Sequence, residues 1–203
     1  MLLFWKAKIV FLAMPKTAST ALEAALLPHA DAAILNPPGL KHTPARRWHS
    51  QLAPFFDKTG QHGLQTMALV REPRDWLGSW FRYRSRPELR GRAVSTEALS
   101  FADFVTGWLD DPQPEYARIG RQSRFVSDPS GQVIVDHLFR YEDLHRAVAF
   151  LETRLGVSVE LPRVNLSPAG DLWLPPDLEA RLTREAGAEF ALWNSLSHDG
   201  AGL

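Results

Sequence analysis

A short segment near the start of the chain combines a lysine with small and hydroxylated residues at a strand-to-helix junction. The sequence Ile9–Leu22, IVFLAMPKTASTAL, predicts a buried strand, a turn with one proline, and a helix. Backbone N–H groups and the positive end of the helix dipole meet at such a turn and attract anions. Lys16 adds a full charge there, and Thr17, Ser19 and Thr20 add hydroxyl groups. The residues predict an anion-binding loop; the alternative is an ordinary turn with a surface lysine and a helix cap.

A second segment, LVREPRDWLGSWFRY, places an arginine at the end of another predicted buried strand. Pro73 opens a helix, and Ser79 follows Arg71 by eight residues, well inside that helix. Open α/β sheets bind ligands at the carboxyl ends of their strands, so both side chains can face one phosphate group there. Arg71 offers a planar fork of N–H donors, and Ser79 offers a single hydroxyl. The alternative is a surface arginine in an ion pair and a serine on a helix face.

Taken together, the two segments resemble a known enzyme family. PKTAST after the first strand and RxPxxxxxS later resemble the 5′-phosphosulfate-binding loop and the 3′-phosphate-binding motif of sulfotransferases that use 3′-phosphoadenosine 5′-phosphosulfate (PAPS). FRYEDL at positions 139–144 resembles the strand-helix junction of that family. The resemblance covers the strand-loop-helix skeleton, but neither the insertions nor the last third of the chain. It implies transfer of a sulfuryl group from PAPS to a hydroxyl or amine of a small-molecule or glycan acceptor, with no metal required.

The resemblance also implies roles for individual residues. Lys16 matches the loop lysine that stabilises charge on the leaving nucleotide, and the loop residues 17–20, including Ala18, would hold the 5′-phosphate. Arg71 and Ser79 would bind the 3′-phosphate. Tyr141 falls where many cytosolic members place a tyrosine near the adenine, and the alternative for it is a core residue that closes the last strand.

His42 is the best candidate for the base that takes the proton of the acceptor. It follows Lys41 and precedes a predicted helix, and it resembles the catalytic histidine of the family. An imidazole has a suitable intrinsic pKa, and a neighbouring cation helps to keep the ring neutral. A solvent-exposed histidine without a catalytic role is the alternative.

The chain departs from the family at two positions of the loop. Ala18 stands where the family usually has glycine, and a Cβ there is expected to require a negative φ. Ala21 stands where many cytosolic members stack a tryptophan on the adenine, so another aromatic such as Tyr141 or Trp80 is expected to stack on the base. Asn165 and Ser167 resemble part of a late segment near the nucleotide and are weaker candidates.

The elements that must position these residues predict an α/β fold. Apolar runs of strand length alternate with segments of helical period, which is typical of a mainly parallel sheet flanked by helices in three layers. Together with the family resemblance, this indicates a P-loop-like sulfotransferase architecture in one domain over residues 1–203. The predicted strands cover residues 7–13, 32–36, 65–71 and 132–139. The predicted helices cover 18–28, 44–57 with Thr43 as N-cap, a segment from Pro73, a segment capped by Ser100, 142–154 up to Gly156, and a segment from Pro175 onward.

Composition narrows the range of partners. The chain has 23 Lys and Arg and 23 Asp and Glu, but residues 1–92 carry a net +8 and residues 93–203 a net −8. A uniformly basic nucleic-acid binder is therefore disfavoured, and a small polyanion near the basic half is favoured. Lysines at positions 6 and 8 interrupt the N-terminal apolar run, so we expect no membrane span and a cytoplasmic protein. The chain has no cysteine, which excludes disulfides and thiolate zinc sites.

The acceptor and two rival functions remain open from the sequence. Five arginines between positions 82 and 92 would suit an acidic or sulfated acceptor, or they form a solvated basic surface. A P-loop-like kinase or nucleotide hydrolase is one rival, although a Walker A loop, GxxxxGK[ST], requires two glycines that this loop lacks. A non-catalytic nucleotide-binding protein of the same fold is the other rival. The sequence does not indicate an oligomeric state.

Overall fold

A five-stranded sheet combines strands from residues 2 to 140 of the chain. The computed structural model describes residues 1–162 and 171–196, so Asn165 and Ser167 lie outside the described residues. The strands are β1 Leu2–Phe4, β2 Ile9–Phe11, β3 Ala32–Ala33, β4 Gln65–Val70 and β5 His137–Arg140. Their order in the sheet is β3-β1-β2-β4-β5.

The sheet is mixed. β4 pairs in parallel with both β2 and β5, whereas β1 runs antiparallel to β2 and to β3. The α/β class with flanking helices is confirmed, but two of the four pairings are antiparallel, where a mainly parallel sheet was predicted. The difference arises at the N-terminus, where residues 5–8 form a tight turn with Lys8 at a φ of 55°. This turn pairs Leu3 with Val10 in an antiparallel hairpin, so the start of the chain forms two strands and not one.

Helices occupy the intervals between the strands. The α-helices are α1 Ser19–Leu26, α2 Pro38–Lys41, α3 Ala45–Arg47, α4 Ala53–Lys58, α5 Pro73–Arg84, α6 Phe101–Leu109, α7 Gln122–Val126, α8 Leu144–Leu155, α9 Pro176–Glu185 and α10 Gly187–Ser195. Short 3-10 helices lie at Leu27–His29, Pro87–Leu89, Glu115–Ala117 and Tyr141–Asp143, and a π-helix at Trp48–Leu52 joins α3 to α4. Among the described residues, no helix is long and apolar enough to cross a membrane.

Local signals predicted several helix ends correctly. Ser100 caps α6 in a capping box with Asp103, and α8 ends at Gly156, whose φ is 68°. Thr43 was wrongly predicted as an N-cap: its hydroxyl donates to the Leu40 carbonyl at 2.7 Å, and Pro44 precedes α3 as the N-cap. The helix predicted from Pro175 is two helices, α9 and α10, and the strand predicted over 132–139 begins only at 137.

The described residues form two compact units. The first contains residues 1–71, 122–162 and 195–196, and the second contains 72–121 and 171–194. A single domain over residues 1–203 stays a prediction. The first unit holds the sheet, and the second unit is helical.

The core of the first unit lies between the sheet and two helices. Alternate strand residues such as Phe4, Phe11 and Leu69 form one hydrophobic cluster with Leu22 of α1 and Leu151 of α8. Residues on the opposite face of the strands, including Leu3, Val10 and Ala68, are also fully buried. Because both faces are buried, the central strands are mostly apolar, and the sheet is a rigid base for the residues that follow its strands.

The second unit explains most of the arginines between positions 82 and 92. Its core combines aromatic residues of α5 and α6 with Leu182 of α9. Arg84 is buried and donates to the carbonyl groups of Glu115, Tyr116 and Arg118. Arg90 forms an ion pair with Glu97, and Arg86 lies over the ring of Tyr83 at 4.9 Å. These three side chains have structural partners inside their own unit, which weakens the expectation that they bind an acidic acceptor.

Candidate functional site

Three predicted site segments meet at one edge of the first unit. The neighbouring strands β2, β4 and β5 are parallel, so their carboxyl ends lie at the same edge of the sheet. The predicted anion loop follows β2, Arg71 follows β4, and Tyr141 follows β5. This is the edge at which open α/β sheets bind ligands.

The loop backbone contains the left-handed conformation that concave anion-binding turns use. Lys16 and Ala18 both adopt the left-handed conformation, with φ of 68° and 59°, while Thr17 between them does not. Alternation of handedness turns successive N–H groups toward one side, as in the concave turns that bind phosphate. The expectation that Ala18 requires a negative φ is therefore wrong: the alanine adopts the conformation that glycine has without strain. The carbonyl group of Ala18 accepts from the Leu22 N–H at 3.1 Å, so this conformation also starts α1.

The hydroxyl groups of the loop differ in their surroundings. Thr17 is fully buried, and its hydroxyl donates to the Met14 carbonyl at 3.0 Å, which fixes the shape of the turn. Ser19, the first residue of α1, is 5 % exposed, and Thr20 is exposed. Among the described residues, no side chain caps α1, and its first turn contains no acidic group. The positive end of the helix dipole is therefore not offset by a carboxylate of its own first turn.

His42 is tied to the strand that leads into this loop. Its Nδ1 lies 2.6 Å from the carbonyl oxygen of Ala13. A carbonyl oxygen only accepts, so Nδ1 carries the proton and Nε2 carries the lone pair of the neutral ring. Burial lowers the pKa of His42 below its ordinary value of 6.5; the hydrogen bond to Ala13 opposes this, and the Lys41 ammonium reinforces it. The ring is thus held in the neutral form that a general base requires at physiological pH.

A buried carboxylate that the sequence did not indicate supports the same region. Glu23 of α1 is 5 % exposed and accepts from Lys41 Nζ at 2.7 Å and from the amino group of Met1 at 3.1 Å. The helix that follows the loop is therefore connected to the residue next to His42. Only the position of Glu23 on the buried side of α1, one residue after the core residue Leu22, could have indicated such a role.

Arg71 is held by two residues of the same unit. Its N–H donates to Gln122 Oε1, and its carbonyl accepts from Gln122 Nε2, both at 2.8 Å. Gln122 is 1 % exposed. The guanidinium carbon of Arg71 lies 4.4 Å from the centre of the Tyr141 ring. The structure therefore brings two predicted site residues, Arg71 and Tyr141, into contact. The sequence did not indicate Gln122 as a site residue.

Ser79 belongs to the second unit, where it lies in α5 and is 5 % exposed. Its pairing with Arg71 around one phosphate group therefore stays a prediction. Within the described ranges, no group of three or more His, Asp or Glu residues is arranged to hold a metal ion. No family model, curated protein or solved structure matches the chain.

Proposed function

We propose that this protein is a sulfotransferase that moves a sulfuryl group from PAPS to a hydroxyl or amine acceptor. The observation that carries the proposal is the position of His42. Its ring is hydrogen-bonded through Nδ1 to Ala13, three residues before Lys16, and its pKa is lowered. A neutral imidazole with Nε2 as acceptor, next to a loop shaped for an anion, suits proton removal beside a transferring anionic group.

The groups at this edge fit a nucleotide with anionic substituents at both ends. The loop offers backbone N–H groups, the Lys16 ammonium and the start of α1 for a 5′-phosphosulfate. Arg71 follows the neighbouring strand β4 and offers a guanidinium for a 3′-phosphate. We include in the proposal a P-loop-like arrangement of β2, the loop and α1, to which β1 and β3 are antiparallel additions.

Bound PAPS would supply an activated sulfuryl group. The residues of the chain would accept the proton of the acceptor and stabilise the charge on the leaving group. As the acceptor oxygen or nitrogen forms its bond to sulfur, the bond between sulfur and the bridging phosphate oxygen breaks in line with it. Nε2 of His42 accepts the proton of the acceptor. The Lys16 ammonium stabilises the negative charge that develops on the bridging oxygen. The products are a sulfated acceptor, adenosine 3′,5′-bisphosphate and a proton that His42 passes to solvent.

Thermal unfolding with different nucleotides tests the proposal without knowledge of the acceptor. A ligand at about 100 times its Kd stabilises the folded state by about 2.7 kcal/mol. For a chain of this size, that corresponds to a rise in Tm of roughly 5–10 °C. We expect adenosine 3′,5′-bisphosphate to produce this rise, and Arg71→Ala to lose most of it.

Matched variants separate the site from general charge effects. Arg46 and Lys58 are exposed residues of α3 and α4, so Arg46→Ala and Lys58→Ala should keep the response that Arg71→Ala and Lys16→Ala lose. A rise with ATP and magnesium alone would refute the proposal in favour of a kinase or nucleotide hydrolase. Binding of the bisphosphate without any sulfate transfer across a broad acceptor panel would favour a non-catalytic nucleotide-binding protein.

A further inference from the structure

Arg71 lies at the first position beyond β4, where the ladder of the sheet no longer fixes the backbone. The last pair of the β4–β5 register is Val70 with Arg140, so Arg71 and Tyr141 are the next residues along the two strands. A side chain that must meet a phosphate from this position needs other contacts to restrict it, because an arginine loses considerable rotamer freedom when it is ordered.

Gln122 supplies the missing backbone contacts. Its side-chain amide accepts from the N–H of Arg71 and donates to the C=O of Arg71, each at 2.8 Å. This pair of bonds is the pattern that the N–H and C=O of one residue of an antiparallel neighbouring strand would make. Because Gln122 is 1 % exposed, water does not compete strongly for these bonds. The amide thus extends the ordered part of β4 by one residue.

Tyr141 restricts the guanidinium itself. The guanidinium carbon lies 4.4 Å from the ring centre, within the range of a favourable contact between a cation and an aromatic face. Contact with a ring face uses the charge of the guanidinium and none of its in-plane N–H donors, which are the groups that bind phosphate. The ring face toward Arg71 is also occupied by this contact, and is not the surface on which a base would stack.

We propose that Gln122 and Tyr141 are positioning residues for Arg71, and that Tyr141 serves recognition of the 3′-phosphate instead of stacking on the adenine. The inference rests on the proposed function and assigns specificity within it: two residues that touch Arg71 determine how well the site distinguishes a 3′-phosphorylated nucleotide from one with a free 3′-hydroxyl. This differs from the adenine contact that the sequence resemblance implies for Tyr141.

Two probe nucleotides separate these roles. Calorimetric titration of the full chain should measure Kd for adenosine 3′,5′-bisphosphate and for AMP, which has the same base and 5′-phosphate but no 3′-phosphate. We expect Tyr141→Leu to weaken binding of the bisphosphate about three- to tenfold, as loss of a cation–aromatic contact implies, and to change the Kd of AMP less than about twofold. Tyr141→Phe keeps the ring and should bind both nucleotides like the wild type.

A double-mutant cycle tests the route through Arg71. In an Arg71→Ala background, Tyr141→Leu should cause no further loss of bisphosphate affinity, because its effect acts through the arginine. Gln122→Met should weaken binding of the bisphosphate but not of AMP, as Tyr141→Leu does. If the variant at the buried Gln122 folds poorly, Tyr141→Leu provides the decisive comparison.

The outcomes distinguish this inference from the proposed function. An equal loss of affinity for both nucleotides in Tyr141→Leu would refute the inference and indicate that the ring contacts the adenine base. An additive loss of bisphosphate affinity in the Arg71→Ala background would refute it as well. An unchanged Kd for the bisphosphate in Tyr141→Leu would also refute it. A wild-type chain that binds AMP and the bisphosphate equally would instead refute the 3′-phosphate site and, with it, the proposed function.

Discussion

Replacement of Ala18 by glycine should stabilise the protein, although glycine usually destabilises a folded chain. Ala18 has a φ of 59°, and the left-handed conformation costs an L-residue about 1–2 kcal/mol. Glycine also gives the unfolded chain more conformational freedom, which lowers the free energy of unfolding by about 0.4–1 kcal/mol. The difference predicts a net gain of about 0.5–1 kcal/mol in the free energy of unfolding, which raises Tm by roughly 1–4 °C for a chain of this size.

Ala24 provides the matched control for this change. It lies on the exposed side of α1, six residues after Ala18, and Ala24→Gly is the same chemical substitution in a helix interior. There it should destabilise by about 0.5–1 kcal/mol. Differential scanning calorimetry of both variants gives the comparison. If Ala18→Gly lowers Tm as Ala24→Gly does, the loop does not hold residue 18 in the left-handed conformation, and the anion-binding shape deduced for it is incorrect.

Three further predictions concern the buried charges. Because burial lowers the pKa of His42, sulfate transfer should be fully retained above pH 6.5 and should be lost only as the pH falls through the lowered pKa. Lys41→Met should raise the pKa of His42, because it removes a neighbouring cation. NMR titration of the His42 ring measures this change. Glu23→Gln should lower the free energy of unfolding in urea by about 3–5 kcal/mol, since it leaves the buried Met1 ammonium and the partly buried Lys41 ammonium without their carboxylate. Glu97→Gln, in an exposed ion pair, should have little effect. Arg84→Met should destabilise by about 1–3 kcal/mol, because it leaves three partly buried carbonyl groups without their donor, and it should not alter nucleotide affinity in the folded fraction. A large loss of affinity would show that Arg84 also serves the ligand.

Local patterns predicted the class of the fold and several of its elements. The strand over 65–71 appears as Gln65–Val70, and the helix over 142–154 appears as Leu144–Leu155 with its glycine stop. In both cases the signal lies within a few residues, as an apolar run or a capping glycine. The N-terminal hairpin was missed because its turn contains no Gly or Pro, and the left-handed Lys8 has no sequence signature.

The residues that support the candidate site were less accessible to sequence reasoning. Gln122 contacts Arg71 across 51 positions of the chain, and Glu23 of α1 meets Lys41 at the end of α2, so neither contact has a local sequence pattern. Arg84 gave a misleading signal, because a run of arginines predicts a basic surface, whereas the Arg84 side chain is buried. The meeting of the three candidate segments at one edge of the sheet was predictable, because parallel strands bring their carboxyl ends to the same edge. The residues that contact these segments depend on long-range packing.

Transfer of radiolabelled sulfur from PAPS tests the central claim most directly. The wild-type chain, incubated with a pool of phenols, sugars, lipids and peptides, should place the label on an acceptor and release one adenosine 3′,5′-bisphosphate for each acceptor that is labelled. Lys16→Ala and His42→Ala should abolish most of this transfer, while Lys58→Ala and His62→Ala, at exposed positions, should retain it. Transfer or hydrolysis of the γ-phosphate of ATP by the same wild-type chain, with all sulfur label remaining in PAPS, would contradict the account.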